Sequence, residues 1–466
     1  MDSDAIRSVC LAHRIIPIEG GDSHRYFIEQ ERDALEVAHE IYSLWNFSVQ
    51  LIAVAREVFA QKWMQFSPPE EQKNPSQTVR QRANFYDSAI TQLVDRLLFL
   101  AVRRGASDIH FESLRNGISV RLRQNGSLRS VAKLPRELKS PIFVRLKVLA
   151  RLDIAEHFRP QDGRFQLSVG GESVDFRISS LPTKFGESIV LRILDRRKLF
   201  CNLQALSMPV AVAEAVRQSI CAPSGLFLCV GPTGSGKTTT LYASLNELCQ
   251  PEWKVLSVED PVEYDLDGCL QVPVDLATGR TFALALRAFL RHDPDKIFVG
   301  EIRDEETAQV ALRAALTGHL VLSTMHAATA REAMLRLGEM GVDANVLAMC
   351  LRGILNQRLL RLNCLHCNEV DHPSEQLPEI LSALPENCFR RGKGCVFCEG
   401  TGCSGRRGIF EFFSPSALGR AANGPEISHT LAGSAAQMVG DGSLSVAEFL
   451  RQIPLECNCH SAVLSE

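Results

Sequence analysis

The eight residues Gly231-Pro232-Thr233-Gly234-Ser235-Gly236-Lys237-Thr238 constrain this chain more than any others. They follow a short apolar run, Leu226 to Val230, and precede a helix-like stretch, Thr239 to Leu248. The pattern G-x-x-x-x-G-K-[ST] requires that setting. Glycines let backbone N–H groups curl around phosphates, and the following helix N-terminus adds positive potential. The lysine reaches the β and γ phosphates, and the Thr238 hydroxyl ligates Mg²⁺. Thr239 completes the cradle. Three more short apolar runs, Val255 to Val258, Ile297 to Val299 and Leu320 to Ser323, are separated by helix-length segments. Strands so uniformly apolar are buried on both faces, which predicts a parallel sheet sandwiched by helices.

A phosphate-binding loop needs an acid at a neighbouring strand end, to hold magnesium and polarise water. Lys296-Ile-Phe-Val-Gly300-Glu301 supplies one, and Glu301 is the expected magnesium-side carboxylate beside Thr238. A second strand end, Val258-Glu259-Asp260-Pro261-Val262-Glu263, brings further carboxylates, one of which should orient the attacking water. After Gly300, Asp304 reads as a helix cap, Glu305 and Glu306 as first-turn acids, and Gly318 as a stop.

Upstream, from about 85 to 200, a helix from Ser88 to Arg103 gives way to period-two alternation. Ile118, Val120 and Leu122 form one apolar set, Phe165, Leu167 and Val169 a second, and Val174, Phe176 and Ile178 a third. Half-buried strands read this way, and Gly170-Gly171 marks a hairpin in an antiparallel sheet. The same region is rich in Lys and Arg between 101 and 151, a surface suited to phosphate or an acidic partner. Residues 1 to 66 read as a small α/β domain, with helical spacing at Ala34, Val37, Ala38 and Ile41 and a strand-like run from Val49 to Val54. The segment from Ser67 to about Gln81, rich in Pro, Gln, Ser and charge, reads as an exposed linker.

The second strong signal is Cys364-Leu-His-Cys367 followed by Cys395-Val-Phe-Cys398. Paired CxxC knuckles offer four thiolates in a tetrahedron, which predicts structural Zn²⁺. His366, Cys388 and Cys403 lie close by as lesser candidates, and Cys457, Cys459 and His460 form a short terminal group. Composition limits the remaining possibilities. With 51 Lys plus Arg against 54 Asp plus Glu, the formal charge of -3 argues against a protein that coats nucleic acid. No window approaches the run of about 18 apolar residues that a spanning helix requires, and the acidic N-terminus lacks the pattern of a secretory signal.

Several boxes in order carry a family resemblance. Glu259-Asp260-Pro-Val-Glu263 with Leu286-Arg287-Ala-Phe-Leu-Arg291-His-Asp293-Pro-Asp295 resembles the Asp box of secretion ATPases. Gly300-Glu301-Ile-Arg303-Asp304 resembles their Walker B box, and Thr317-Gly318-His319-Leu-Val-Leu-Ser-Thr324-Met-His326 their His box. Ala106-Ser107-Asp108-Ile109-His110, Pro160-Gln161-Asp162-Gly163-Arg164 and Gly408-Ile409-Phe410-Glu411 extend the likeness over about residues 85 to 415. These are the motors of type II secretion and type IV pilus assembly. Asn125, Ala327-Ala328 and Cys403 depart from the family's usual residues.

The resemblance implies ATP, Mg²⁺ and Zn²⁺ as cofactors. It assigns Lys237 and Thr238 to phosphate and magnesium, Glu301 to the Walker B role, and Glu259 and Glu263 to the vicinity of metal and water. It sets Arg287, Arg291, His319 and His326 around the γ phosphate. Arg121 and Arg136 fall where the family carries phosphate-reaching arginines of the smaller domain.

The implied architecture is multidomain α/β. A partner-docking domain (1–66) and a linker (67–84) precede an α+β, PAS-like antiparallel-sheet domain (85–200). A RecA-like P-loop domain (201–360), a tetracysteine zinc module (361–410) and a C-terminal helical segment (411–466) follow. The implied function is a cytoplasmic, hexameric ATP-hydrolysing motor of a type II secretion system, powering pseudopilus growth and protein export. It would be held at the inner membrane by a platform protein and by the cytoplasmic domain of a bitopic secretion protein. A type IV pilus assembly ATPase is the alternative, followed by a nucleotide-dependent scaffold and a DNA translocase; nucleic acid is not expected as a partner.

Overall fold

The computed structural model describes residues 75–169, 171–194, 202–373, 377–414 and 430–453, giving for 75–88, 172 and 386 the backbone alone. Before residue 75 it describes positions 10, 13, 15–18, 25–29, 34, 37, 38, 41, 49–59 and 62. The chain divides into two compact units, residues 1–195 and 196–466. Cys457, Cys459 and His460 lie outside the described residues.

In the first unit, β1 (Ile16–Pro17), β2 (Arg25–Glu29) and β3 (Gln50–Val54) form a three-stranded sheet in that order. Ala34, Val37, Ala38 and Ile41 are helical, as their spacing predicts. Helix α1 spans Pro75–Arg103. It starts well before Ser88 and runs into the segment read as linker, of which residues 67–74 lie outside the described residues. The physical reason is local. Proline is tolerated at a first helical position, and Gln, Arg and Ala are good helix formers even without an apolar stripe.

A six-stranded antiparallel sheet follows. Its strands are β4 (Asp108–Leu114), β5 (Gly117–Gln124), β6 (Ser127–Pro135), β7 (Gln161–Val169), β8 (Glu172–Thr183) and β9 (Gly186–Leu194), ordered β6-β5-β4-β9-β8-β7. Helix α2 (Lys139–Leu149) interrupts the series. The β5–β6 hairpin turns on Asn125 and Gly126, at φ 47° and 82°. Both central residues of a two-residue hairpin of this type need positive φ, which Asn and Gly adopt most readily. The apolar sets of β5, β7 and β8 face the core, where Ile118, Val120, Leu122 and Phe176 are fully buried.

The second unit is built on a seven-stranded sheet. Its strands are β10 (Gly225–Val230), β11 (Val255–Glu259), β12 (Cys269–Pro273), β13 (Lys296–Val299), β14 (Leu320–Met325), β15 (Leu351–Asn363) and β18 (Cys403–Phe413). The order is β12-β11-β13-β14-β10-β15-β18, all pairs parallel except β15–β18. Every residue of β10, β11, β13 and β14 is buried, as the uniform apolar runs predict. Helices α3 (Val210–Ile220), α4 (Lys237–Leu248), α5 (Phe282–Phe289), α6 (Glu305–Leu316), α7 (Ala330–Glu339) and α8 (Ala344–Cys350) connect the strands. Helix α6 begins where the sequence predicts, with the Asp304 side chain accepting from the Thr307 N–H at 2.8 Å.

Residues 364 to 402 emerge between β15 and β18, so the cysteine module is an insertion between two paired strands of the same sheet. It holds the small β16–β17 ribbon (Asn368–Val370 and Arg390–Gly392) and the one-turn helix α9 (Glu379–Ser382). Helices α10 (Leu431–Gly440) and α11 (Val446–Gln452) pack Val439 and Phe449 against Leu360, Leu381 and Phe389 in one core. Among the described residues no helix is long and apolar enough to cross a membrane.

Candidate functional site

The phosphate-binding loop leaves the C-terminal end of β10 and enters α4 at Gly236, whose φ of 90° only glycine adopts freely. No side chain caps α4, so its first N–H groups stay open to an anion. Pro232, Thr233, Gly234, Thr238 and Thr239 are exposed, Gly231, Ser235 and Lys237 are buried, and Gly236 lies between. The Lys237 Nζ donates to Gly231 O at 2.7 Å and Pro232 O at 3.0 Å, lying along the loop. Burial pushes its pKa down, while the nearby Cys229 and Glu301 pull it up. The Ser235 Oγ is buried without a hydrogen-bond partner, a donor the protein leaves unused in a loop shaped for phosphate.

Two strand-end carboxylates flank this loop's edge of the sheet, and they differ sharply. Glu301, just beyond β13, pairs through Oε1 with Arg303 Nη2 at 2.5 Å. Its Oε2 is buried with no hydrogen-bond partner, and His326 Nε2 stands 3.6 Å away. Arg303 is held above its ordinary pKa by that bond. Burial lowers the pKa of His326, and Lys237 lowers it further while Glu301 opposes them, which favours the neutral imidazole. Lys237, Glu301 and His326 thus form one cluster. Glu259 ends β11, 3 % exposed, with both oxygens engaged: Oε1 accepts from Ser257 Oγ (2.6 Å) and Gln271 Nε2 (3.1 Å), and Oε2 from the Tyr242 hydroxyl. That hydroxyl also accepts from the Glu263 N–H at 3.3 Å, and burial beside Glu259 pushes its pKa up strongly.

Other expected site residues lie elsewhere in this unit. Arg287 pairs with Glu306 at 2.7 Å, and Arg291 donates to the Arg287 carbonyl at 2.9 Å. Their bonds run within the α5–α6 face, which bounds a pocket of about 640 Å³, and not to the phosphate loop. His319 precedes β14, at the opposite end of the strand from His326; seven residues at about 3.3 Å each put the two roughly 20 Å apart. Its Nδ1 meets Ala314 O at 3.1 Å and Thr317 Oγ1 at 3.3 Å. Of the two box histidines, only His326 stands with Lys237 and Glu301.

In the first unit, Arg121 lies on β5 paired with Glu112, and Arg136 is exposed in the short turn Arg136–Leu138 after β6. The basic count between 101 and 151 overstates the surface charge. Lys147 is 1 % exposed, bonded to Glu187 Oε1 at 2.5 Å and to Glu156 O at 2.6 Å. Arg123 and Arg192 share Asp108.

The tetracysteine group is assembled. Cys364, Cys367, Cys395 and Cys398 place all four sulfurs within 4.8 Å of one another, with pairs at 3.9, 3.8 and 3.7 Å. Four ligands at about 2.3 Å in a tetrahedron would have edges of about 3.8 Å, so the spacing fits zinc. Burial raises the Cys398 pKa, but N–H donors from Cys395 and Gly402, and the Thr401 hydroxyl, outweigh it and bring the thiol down to about 6. His366 stacks on Phe397 at 4.0 Å instead of joining the sulfurs, and neither Cys388 nor Cys403 belongs to the group.

Residues 84–448 match the model of the family described as "Type II/IV secretion system protein". The chain belongs to that family. Among its members, the type II secretion system protein E of Pseudomonas aeruginosa is 46 % identical over 327 residues, 70 % of this chain and 65 % of that protein. The type II secretion system ATPase E of Vibrio cholerae is 44 % identical with the same coverage. The chain therefore spans about two thirds of the length of these relatives. The Legionella pneumophila ATPase DotB superposes with a TM-score of 0.56 at 20 % identity, covering 77 % of this chain and 94 % of that one, a likeness of fold.

One residue that touches the phosphate loop had no assigned role in the sequence. Gln357 in β15 reaches the phosphate loop; it sits in a strand whose polar centre breaks every apolar period.

Proposed function

We propose that the chain is the ATP-hydrolysing motor of a type II secretion system, working as a hexamer whose P-loop domain is RecA-like and whose antiparallel-sheet domain is PAS-like. The observation that carries this reading is Glu301 Oε2. It is a buried acceptor with no protein donor, 3.6 Å from His326 and close enough to Lys237 to raise its pKa. Such an orphan suits a magnesium-bound water. Thr238 and Glu301 would hold Mg²⁺, which supplies charge neutralisation on the phosphates and a polarised water. Lys237 exchanges its two loop carbonyls for the β and γ phosphates of ATP, and the open N–H groups of α4 bind the remaining oxygens. Neutral His326 bonds to the γ phosphate or the water.

Glu259 acts through Tyr242, holding the Glu263 segment in place. The Arg287–Arg291 face and His319 serve contacts between subunits, and Arg121 and Arg136 reach nucleotide phosphates on ring assembly. Zn²⁺ on the four cysteines stiffens the insertion between β15 and β18. Residues 1–66 dock the motor to the cytoplasmic domain of a bitopic inner-membrane protein and so to the membrane platform, with no nucleic-acid partner.

The test is Glu301→Gln, measured for phosphate release and for secretion in cells lacking the wild-type protein. Loss of both with nucleotide binding retained is the expected result. Secretion at the wild-type level with the Gln variant would replace the motor by a scaffold.

A further inference from the structure

Strand β15 is apolar at its start and polar at its centre, where Asn356, Gln357 and Arg358 are 1 %, 2 % and 3 % exposed. Buried polar side chains are tolerated only when paired, so their partners indicate what they serve. Gln357 Nε2 donates to Ser235 O at 2.6 Å, inside the phosphate loop. Its Oε1 accepts from Thr240 Oγ1 at 2.8 Å, in the helix after the loop, and from Cys229 Sγ at 3.3 Å, in the strand before it. One amide therefore brackets strand, loop and helix. The fit is close: a Cβ at Gly231 would stand 2.6 Å from Gln357 O, and one at Gly236 2.9 Å from Gln357 Nε2.

Adjacent residues of a strand point to opposite faces. Asn356 and Arg358 accordingly share the other face, and both reach Ala328 O, at 3.2 and 2.6 Å. Ala328 lies two residues after His326, and the Arg358 guanidinium is further held by Asn356 Oδ1 and Gln357 O at 3.0 Å each. Three consecutive residues thus secure the loop on one face of the sheet and the His326 turn on the other.

We propose that Gln357 is a positioning residue for nucleotide binding, fixing the curvature of residues 231–236, and that Arg358 anchors the turn carrying His326. The inference rests on the reading of residues 231–239 as the nucleotide cradle. Without the Gln357 amide, Ser235 O becomes a buried acceptor with no donor, and the loop relaxes away from the shape that aims its N–H groups at phosphate. Arg358 has no comparable hold on the loop; its loss displaces His326 instead.

The experiment titrates a fluorescent ATP analogue into the full-length chain, beside steady-state KM and kcat and thermal unfolding without nucleotide. Gln357→Glu keeps side-chain length and both acceptor bonds but removes the donor to Ser235. It should raise Kd and KM about tenfold and move kcat by no more than about threefold, while the buried carboxylate lowers the unfolding temperature modestly and leaves the chain folded at the assay temperature. Gln357→Leu should weaken binding further, and if it fails to fold, Gln357→Glu still decides. Arg358→Lys should show the reverse split, with kcat down about tenfold and Kd unchanged. Wild-type Kd in Gln357→Glu, or a loss of binding no larger than its loss of folded protein, overturns the proposal. Lys237→Ala separates the two readings. If that variant binds poorly while Gln357→Glu binds normally, only the positioning role fails; if it too binds as wild type, the nucleotide reading falls with it.

Discussion

The phosphate-loop motif and the tetracysteine group are built on the same sheet, and they are held in opposite ways. The loop's shape is set by protein. Buried strands flank it, Gln357 brackets it, and Lys237 rests on its own carbonyls until a phosphate arrives. In the cysteine module Leu381 and Phe389 pack on the C-terminal helices, but the knuckle tips are open: Leu365, Val396 and Phe397 are 84 %, 90 % and 76 % exposed. There the metal would supply what a core supplies elsewhere. Losing its ligand should therefore leave the first site folded and empty, and should unfold the second.

The largest effect expected from this contrast is in the module. Cys364→Ser with Cys367→Ser should reduce zinc from about one per chain to near zero by elemental analysis. It should also expose residues 364–402 to protease, since structural zinc in small modules contributes about 10 kcal/mol or more of apparent binding free energy. Unchanged zinc would remove the assignment. Next is Glu301→Gln, expected to slow turnover about 100-fold or more, roughly 3 kcal/mol in barrier, with no change in unfolding temperature. A variant equally slow but unfolded would blur the contrast between site and scaffold.

A buried charge cluster in the first unit sharpens the comparison, because there the protein supplies every partner. Glu187 is 8 % exposed and bonded to Lys147, His157 (3.0 Å) and Ser180 (3.0 Å). Burial raises its pKa, but those partners outweigh burial and hold it below the ordinary carboxylate value. A depressed carboxylate contributes stability that is complete above its unfolded pKa, about 4.3, and is lost as pH falls through the lower folded value. Glu187→Gln should cost about 3 kcal/mol at pH 7 by leaving Lys147 buried without a counter-charge. The gap in unfolding temperature from wild type should narrow as pH falls below the unfolded value and toward the lower folded one; a pH-independent gap would show that packing, not charge, is at stake.

The smallest expected effect is at Glu259. Gln at that position keeps one acceptor but turns its NH₂ toward either the Tyr242 hydroxyl or the Ser257 and Gln271 donors, costing about 1–3 kcal/mol of stability, while turnover per folded molecule falls less than in Glu301→Gln. The reverse order would make Glu259 the water-orienting acid.

The cradle and the cysteine knuckles were legible because each is specified by local spacing: eight consecutive residues in one case, two CxxC pairs in the other. The parallel strands were legible from apolar runs that leave no polar face. Roles assigned to Glu259, His319, Arg287 and Arg291 depended on side-chain direction and on which end of a strand a residue occupies, and neither is carried by spacing. His319 and His326 are one box in sequence but lie at opposite ends of β14. Strand β15 was not legible as a strand because Asn356-Gln357-Arg358 interrupt its apolar pattern, and those same residues bond to the phosphate loop and to the turn after His326. A count of basic residues between 101 and 151 does not show which are exposed, and Lys147 is buried against Glu187. The start of α1 was hidden by a polar composition that helices and linkers share.

An ATP-hydrolysing cradle completed by Glu301 in an assembled ring, as proposed, is checked by phosphate release from purified protein across a range of protein concentrations, beside Glu301→Gln and Lys237→Ala. Turnover per chain should rise with concentration in the wild type and fall to baseline in both variants, with nucleotide still bound by Glu301→Gln and lost from Lys237→Ala. Turnover by Glu301→Gln equal to that of the wild type would contradict that proposal.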